Sequence, residues 1–418
     1  MRMTIADFLM LFSVISIWSL LLVNVVLIIS GYLYYIKNDK RKIPIIEGEA
    51  PFVSIMVPAH NEAKVIIQTV RSLLALDYPH DRYEIIVIND NSSDNSKDLL
   101  QQLKEQHALR NFIIINTDAE TGGKGKSNAL NIGFQTSKGE IIAIYDADNT
   151  PEKNALKYLV AELMYDDTLG AVIGKFRTRN RNVNLLTRFI NIETLSFQWM
   201  AQAGRWNLFQ LCTIPGTNFI LRRTIIDQIG GWDTKAIAED TEISFQIYRL
   251  GYRIKFQPKS VTWEQEPQTL RVWFKQRSRW AKGNIYVIVK NIPLLFDRSA
   301  KKIRFDILYF LSIYFLLLTS LIVSDVILIM NALGFVQTTI ASLSSFLWLL
   351  AVILFIVGTF ITLVTEKGEM RLSNVWIIML MYITYCQLWM VVAAYGFYHY
   401  IKDVIYKREV KWYKTERF

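Results

Sequence analysis

The sequence predicts an α/β domain with a mostly parallel, Rossmann-like sheet, joined to an α-helical transmembrane region. Three observations predict it. Buried-type strands alternate with helix-compatible segments between residues 52 and 148. Four apolar runs are each long enough for a bilayer, which takes about 20 helical residues. The chain is 52% hydrophobic yet 20% charged, too apolar for an ordinary soluble protein and too charged for a bundle of spans alone.

The first apolar run, residues 8–36, ends in the basic stretch Lys37–Lys42 with no small-residue cleavage site, so it reads as a retained anchor. The stretch "FVSIMVPAHNE" (52–62) is a strand that stops in polar residues His60, Asn61 and Glu62. A helix is expected over 63–75. "YEIIVINDNSSDNS" (83–96) repeats the plan, ending in Asn89, Asp90 and Asn91, and a helix follows over 96–106. "FIIIN" (112–116) is a third strand, and 126–135 a third helix, opened by the Gly-rich "TGGKGKSNALN" (121–131). "EIIAIYDAD" (140–148) is a fourth strand, closed by Asp146 and Asp148; Thr150 and Pro151 are expected to open the next helix. Strand and helix at this spacing give a parallel sheet covered on both faces, with ligands outside the carboxyl ends of its strands.

Each acidic turn has a plainer explanation. Asn and Asp bond their own backbone and cap helices, which accounts for Asp94. Three acidic strand ends beside a lysine in a glycine loop say more. Lys126 and loop amides suit phosphate, and two carboxylates one residue apart suit a divalent cation on a diphosphate. No Walker-type loop is present. Further along, "AIAEDTEIS" (236–244) places Glu239 and Asp240 where a helix N-terminus also favours acids. "FKQRSRWAKGN" (274–284) puts Gln276, Arg279 and Trp280 on one helical face, in a segment that also suits the membrane interface.

Asp90, the pair Asp146 and Asp148, "ED" at 239–240 and "QRSRW" at 276–280 resemble, in order and spacing, the D, DxD, (T/E)D, QxxRW series of processive family 2 glycosyltransferases. These are membrane enzymes such as cellulose, hyaluronan and poly-N-acetylglucosamine synthases. The resemblance covers residues 50–285. It implies a GT-A fold, a UDP-sugar donor, and Mg²⁺ or Mn²⁺ as cofactor. His60, Glu62, Asp90, Lys126 and Asp146 would bind the nucleotide sugar, and Asp146 and Asp148 the metal. Asp240 would be the general base, and Glu239, Gln276, Arg279 and Trp280 would serve the acceptor and leaving group. "PGTN" (215–218) resembles the segment bordering the acceptor site, and "KWYKTERF" (411–418) a gating segment. Asn89 and Asn91 stand where many relatives have Asp and Gly, and "AED" replaces the commoner "TED". No cyclic-di-GMP-binding PilZ module is expected after the last span, so any such control would come through a partner.

The expected product is a β-linked exopolysaccharide made by inversion, with UDP-N-acetylglucosamine favoured as donor and translocation by the membrane helices. The alternative is transfer of one sugar to a membrane lipid. An inactive scaffold is disfavoured because every acidic position is filled, and a transporter because the spans carry few ionisable residues. Expected partners are the UDP-sugar, the growing polysaccharide, membrane lipid and accessory membrane subunits.

The net charge of +10 clusters beside the spans, which argues for positive-inside topology and against nucleic acid. Cys212 and Cys386 are expected as free thiols, and the four histidines show no zinc spacing. The expected organisation is an anchor (1–42), a GT-A domain (43–270), interfacial helices (271–303), transmembrane helices (304–400) and a basic tail (401–418). The location is the plasma membrane, with the catalytic domain cytoplasmic. Spans at 307–330, 346–364 and 375–398 would carry the basic tail outside, against the charge rule. An internal tail is preferred, with one apolar segment re-entrant and Asp325 marking the break.

Overall fold

The computed structural model describes residues 4–297, 303–338, 341–406 and 415–416. Of the proposed gating segment only Thr415 and Glu416 are described; the rest lies outside the described residues.

Helix α1 (Ile5–Lys40) opens the chain under a capping box of Thr4 and Asp7. The α/β alternation follows: β1 (Val53–Ala59), α2 (Ile66–Leu74), β2 (Tyr83–Asn89), α3 (Ser96–Gln106), β3 (Phe112–Asn116), α4 (Lys126–Thr136) and β4 (Ile141–Ile144). Strand β1 pairs in parallel with β2 and β4, and β2 with β3. The register sets Ala59 beside Asn89, and Asn89 beside Asn116. The carboxyl ends of the three strands are therefore flush. Side chains alternate faces: Ile55, Val57, Ile85, Val87 and Ala143 join one core cluster, and Met56, Ile86, Ile88, Ile142 and Ile144 the other. Helices cover both faces, as the apolar strands required.

Next come β5 (Thr150–Pro151), α5 (Ala155–Tyr165), β6 (Leu169–Thr178), α6 (Leu185–Ser196), α7 (Arg205–Phe209), β7 (Phe219–Arg222), α8 (Arg223–Ile229), α9 (Glu239–Arg249) and β8 (Arg253–Glu264). They complete an eight-stranded, mostly parallel sheet in the order β3-β2-β1-β4-β7-β6-β8-β5. Thr150 and Pro151 correct the expectation: they do not open a helix but pair antiparallel with Trp263 and Thr262, and the helix begins at Ala155. A sheet edge accepts proline because it asks for no donor on its outer side.

The long helix α10 (Leu270–Asn291) precedes the apolar region, which comprises α11 (Arg304–Leu311), α12 (Leu318–Ala332), α13 (Ala341–Val364), α14 (Leu372–Ile383) and α15 (Tyr385–Tyr406). Four helical segments are long and apolar enough to cross a membrane: Ile5–Lys40, Arg304–Ala332, Phe346–Val364 and Leu372–Tyr406. The inner end of α1 docks firmly on the α/β domain. The Tyr34 hydroxyl donates to the Phe256 carbonyl at 2.6 Å, and Arg41 pairs with buried Glu162 at 2.8 Å. Gly31 leaves no room for a side chain, since a Cβ there would lie 1.9 Å from the Trp199 carbonyl oxygen.

Asp325 does not break its helix; α12 runs through it unbroken. A carboxyl side chain leaves the backbone ladder intact. The break falls at Thr384, between α14 and α15, with φ −114° and ψ −70°. There the Thr384 hydroxyl bonds back to the Leu380 carbonyl at 2.6 Å, a contact that bends helices. Both cysteines are free, Cys212 being buried.

Candidate active site

The site lies at the flush strand ends. Asp90, directly after β2, is buried. Its Oδ1 accepts the Thr117 hydroxyl at 2.9 Å and the Gly123 amide at 2.9 Å. Asn91 takes φ +48°, the left-handed turn expected of Asn in place of Gly. His60 lies across the turn, one ring nitrogen 2.6 Å from the Asp90 carbonyl. Glu62 is buried at the turn into α2, where its carbonyl accepts the Val65 and Ile66 amides. Asp94 is a turn residue, accepting the Ala63 and Ser96 amides at 3.0 Å each.

The glycine loop joins this turn to the DxD turn. Gly123 is bound to Asp90, and three residues on Lys126 reaches Asp146 Oδ1 at 2.7 Å and Glu239 Oε1 at 3.1 Å. Its ammonium also donates to the Gly216 carbonyl at 2.8 Å. Burial works against the charge on Lys126, but Asp146 and Glu239 outweigh it and raise the pKa. The loop amide and lysine thus hold protein carboxylates together in this arrangement.

The DxD turn is held from "PGTN". The Thr217 hydroxyl accepts the Asp146 amide at 3.0 Å and donates to Asn149 Oδ1 at 2.7 Å. Asp148 is buried, with Oδ1 3.5 Å from the Asn149 amide nitrogen and Oδ2 3.4 Å from the Gln265 backbone nitrogen. Glu264 and Glu266, at the end of β8, stand beside it. Burial pushes both pKa values up, with the charges of Glu266 and Asp148 adding to it for Glu264 and those of Glu193 and Asp148 for Glu266, against the pull of Arg277.

Glu239 and Asp240 open α9. Burial first, then the charge of Glu239, pushes Asp240 up to about 7, against the pull of Lys126. Its Oδ1 accepts the Thr241 amide at 2.7 Å. Gly216, at φ +91°, packs on its other oxygen: a Cβ there would lie 2.9 Å from Asp240 Oδ2 and 3.6 Å from Lys126 Nζ.

Helix α10 brings the QxxRW residues alongside. Gly283 packs on Ala238, and Asn284 bonds Thr241, both at the start of α9. Trp280 is one turn earlier on the same helix and 40% exposed, whereas Gln276 is buried and Arg279 half-buried. The shared face therefore grades from core to surface.

The structure brings Lys126, Asp146 and Glu239 into one bonded cluster, with Asp240 next to Glu239, Asp148 on the DxD turn and Asp90 joined through the glycine loop. It also adds Thr117, Glu264 and Glu266, which the sequence analysis passed over, and gives Gly216 and Thr217 specific contacts. Only Gly216 and Thr217 carried a sequence signal, through "PGTN". Among the described residues no group of three or more His, Cys, Asp or Glu is arranged to hold a metal ion by itself.

Residues 50–283 match the model of the glycosyltransferase-like family 2. The chain is 49% identical over 405 residues, 96% of either chain, to the probable glycosyltransferase YdaM of Bacillus subtilis strain 168. Over 257 residues, 62% of this chain and 60% of the relative, it is 32% identical to the poly-beta-1,6-N-acetyl-D-glucosamine synthase of Staphylococcus aureus strain COL. Its fold is that of the mannosyltransferase PcManGT from Pyrobaculum calidifontis, solved with GDP-Man and Mn²⁺: TM-score 0.66, 20% identity, 95% of this chain and all of that one. The chain belongs to the family 2 glycosyltransferases and carries their GT-A fold.

Proposed function

We propose that this family 2 glycosyltransferase extends a β-linked exopolysaccharide from a UDP-sugar, with UDP-N-acetylglucosamine as the favoured donor. One observation carries the reading: Lys126 ties the DxD carboxylate Asp146 to Glu239, neighbour of a half-buried Asp240 whose pKa is pushed up to about 7. A carboxyl group at that pKa is matched to accept a proton from a sugar hydroxyl near neutral pH. The likeness to a poly-N-acetylglucosamine synthase supports the donor and the polymeric product.

In this mechanism Asp90 receives the base of the nucleotide. Asp240 takes the proton of the attacking hydroxyl at Oδ2, since Oδ1 is tied to the Thr241 amide. Trp280 offers an exposed ring for the acceptor sugar, and Gln276 and Arg279 hold its end and the leaving group. A single in-line displacement inverts the anomeric carbon. The donor set fits a hard divalent cation: Asp146 and Asp148 supply oxygens, and Glu264 and Glu266 crowd them with negative charge that a cation relieves. Mg²⁺ or Mn²⁺ held by Asp146 and Asp148 would supply neutralisation of the diphosphate charge.

The protein is a multi-pass membrane protein in this reading, with the α/β domain inside the cell. The last apolar segment re-enters rather than crosses. Helix α14 has 12 residues, about 18 Å, against a hydrocarbon core of about 30 Å. Helix α15 then runs alongside α10 in the same direction. Trp273 meets Tyr385, Phe274 meets Tyr395, Ala281 meets Gly396, and Lys282 pairs with Asp403. The segment starts at the α/β domain too, where Arg188 bonds Asn374. Its end is thus on the domain side, which agrees with the basic tail. Labelling of a cysteine added at the C-terminus by an impermeant reagent, in intact cells, contradicts this placement.

The test of function uses membranes bearing the protein, Mg²⁺ and a panel of labelled UDP-sugars, with the product sized. High-molecular-weight material from one donor is expected. Label confined to a small lipid-soluble product moves the activity to single transfer onto lipid. No turnover of any UDP-sugar overturns the reading.

A further inference from the structure

The acceptor motif contains a second arginine. Arg277 lies between Gln276 and Trp280, and it is 1% exposed. Both terminal nitrogens and one flat face of its guanidinium are engaged, while Nε is buried without a hydrogen-bond partner among the described residues. Nη1 donates to Gln276 Oε1 at 2.6 Å. Nη2 donates to Glu193 Oε2 at 2.9 Å and lies 3.7 Å from Glu266 Oε2. The planar group also stacks on Trp280, with Cζ 4.0 Å from the ring centroid.

Glu193, on α6, is itself fully engaged. Its Oε1 accepts the Trp389 indole nitrogen at 2.6 Å, and its Oε2 the Tyr385 hydroxyl at 2.8 Å. The Trp273 indole donates to the same Tyr385 hydroxyl at 2.8 Å. One carboxylate therefore collects α6, α10 and α15.

Only arginine combines a bidentate fork with a flat face for stacking; lysine is a point charge without that face. Burying this cation is costly unless its partners are fixed. Its partners here are two acidic side chains, Glu193 from a distant helix and Glu266 just past β8, and the two motif residues that face the acceptor. A purely structural ion pair has no need to reach either of them.

We propose that Arg277 is the positioning residue of the acceptor platform: braced by Glu193 and the last helix, it fixes the Gln276 amide and one face of the Trp280 ring. The inference rests on the reading that Gln276 and Trp280 hold the acceptor. Arg277 pins the amide oxygen inward, so the amide nitrogen is the atom turned toward a sugar. It also supports the indole from one side, so the acceptor stacks on the other. Tyr385 and Trp389 connect this platform to the segment that returns from the membrane.

The test compares wild type, Arg277→Lys and Glu193→Gln as full-length protein in membranes. The acceptors are soluble β-linked N-acetylglucosamine oligomers, and hydrolysis of UDP-N-acetylglucosamine without oligomer is followed in parallel. Arg277→Lys keeps the charge for Glu193 and loses the stack. It is expected to raise the acceptor KM by about tenfold, within the range of a single cation–π contact. Its kcat and its donor hydrolysis fall no more than about threefold, within the non-additivity of single substitutions. Glu193→Gln moves the acceptor KM in the same direction by less, because Glu266 still faces the guanidinium. An unchanged acceptor KM in Arg277→Lys overturns the proposal. So does an equal fall of hydrolysis and transfer with a lowered unfolding temperature, which marks a brace of the fold alone. A wild type that turns over no UDP-sugar overturns the underlying reading instead, and the inference with it.

Discussion

The donor edge and the acceptor side of this molecule are built differently. At the donor edge the functional carboxylates sit where parallel strands stop, and nearby loops fix them: Asp90 is bound by Thr117, 27 residues away. On the acceptor side α10 is fixed by buried charges from far along the chain. Arg277 reaches Glu193 across 84 residues, and Glu193 reaches Trp389 across 196. The first region is set by sheet register and turn chemistry. The second exists only once the membrane-associated helices have docked. A nucleotide diphosphate is a constant ligand that a rigid edge can receive. In the proposed function a polymer end must advance, and it would be held by the part of the protein that packs on the helices long and apolar enough to cross a membrane.

This contrast orders the expected effects of substitution. The largest belong to the donor edge. Asp148→Ala is expected to lower transfer by about a thousandfold or more, as does EDTA, with recovery on adding Mg²⁺ or Mn²⁺ only in the wild type. Release of UDP is the readout, and full activity in Asp148→Ala separates the DxD turn from the donor.

Gly216→Ala acts at the seam between the two regions. A Cβ there meets Asp240 Oδ2 at 2.9 Å, and φ +91° disfavours any side chain. The backbone cost is about 1–2 kcal/mol, and a base displaced by about 1 Å costs roughly a hundredfold in rate. Activity is expected to collapse while the unfolding temperature moves little.

The pH dependence follows from Asp240. Its pKa is pushed up to about 7, and only the ionised carboxylate accepts a proton. Turnover therefore rises with pH through about 7 and falls tenfold per unit below it. The stability contribution has the opposite sign. The folded carboxyl holds its proton where the unfolded one has lost it, so stability declines as pH rises from about 4 to 7. A pH–rate profile flat from 6 to 8 removes Asp240 from the base role.

The smallest effect is expected at Thr117. Thr117→Val deletes one hydrogen bond to Asp90, worth about 0.5–1.5 kcal/mol, so UDP binding weakens by roughly 2- to 12-fold. The acceptor KM should not move, which is the sharpest separation of the two regions.

The same contrast explains what the sequence disclosed. Strands β1 to β4, and the acidic residues that follow β1, β2 and β4, were legible because unbroken apolar runs and Asn–Asp turns are local signals. The four apolar segments were legible by length. Pro151 misled because its local chemistry fits a helix start, while its partner Thr262 is 111 residues away. Glu264, Glu266, Glu193 and Arg277 carry no local signal; only long-range packing brings them together, with Glu266 and Arg277 buried. Asp325 suggested a break by its charge, whereas the break at Thr384 rests on a hydroxyl contact that any threonine can make.

The most direct test of the account is a single preparation of Asp240→Asn, assayed for both UDP binding and sugar transfer. The account predicts UDP affinity within about threefold of wild type and transfer reduced by about a hundredfold to ten-thousandfold, the range for loss of a general base. Transfer at the wild-type rate, or loss of UDP binding in step with transfer, contradicts it.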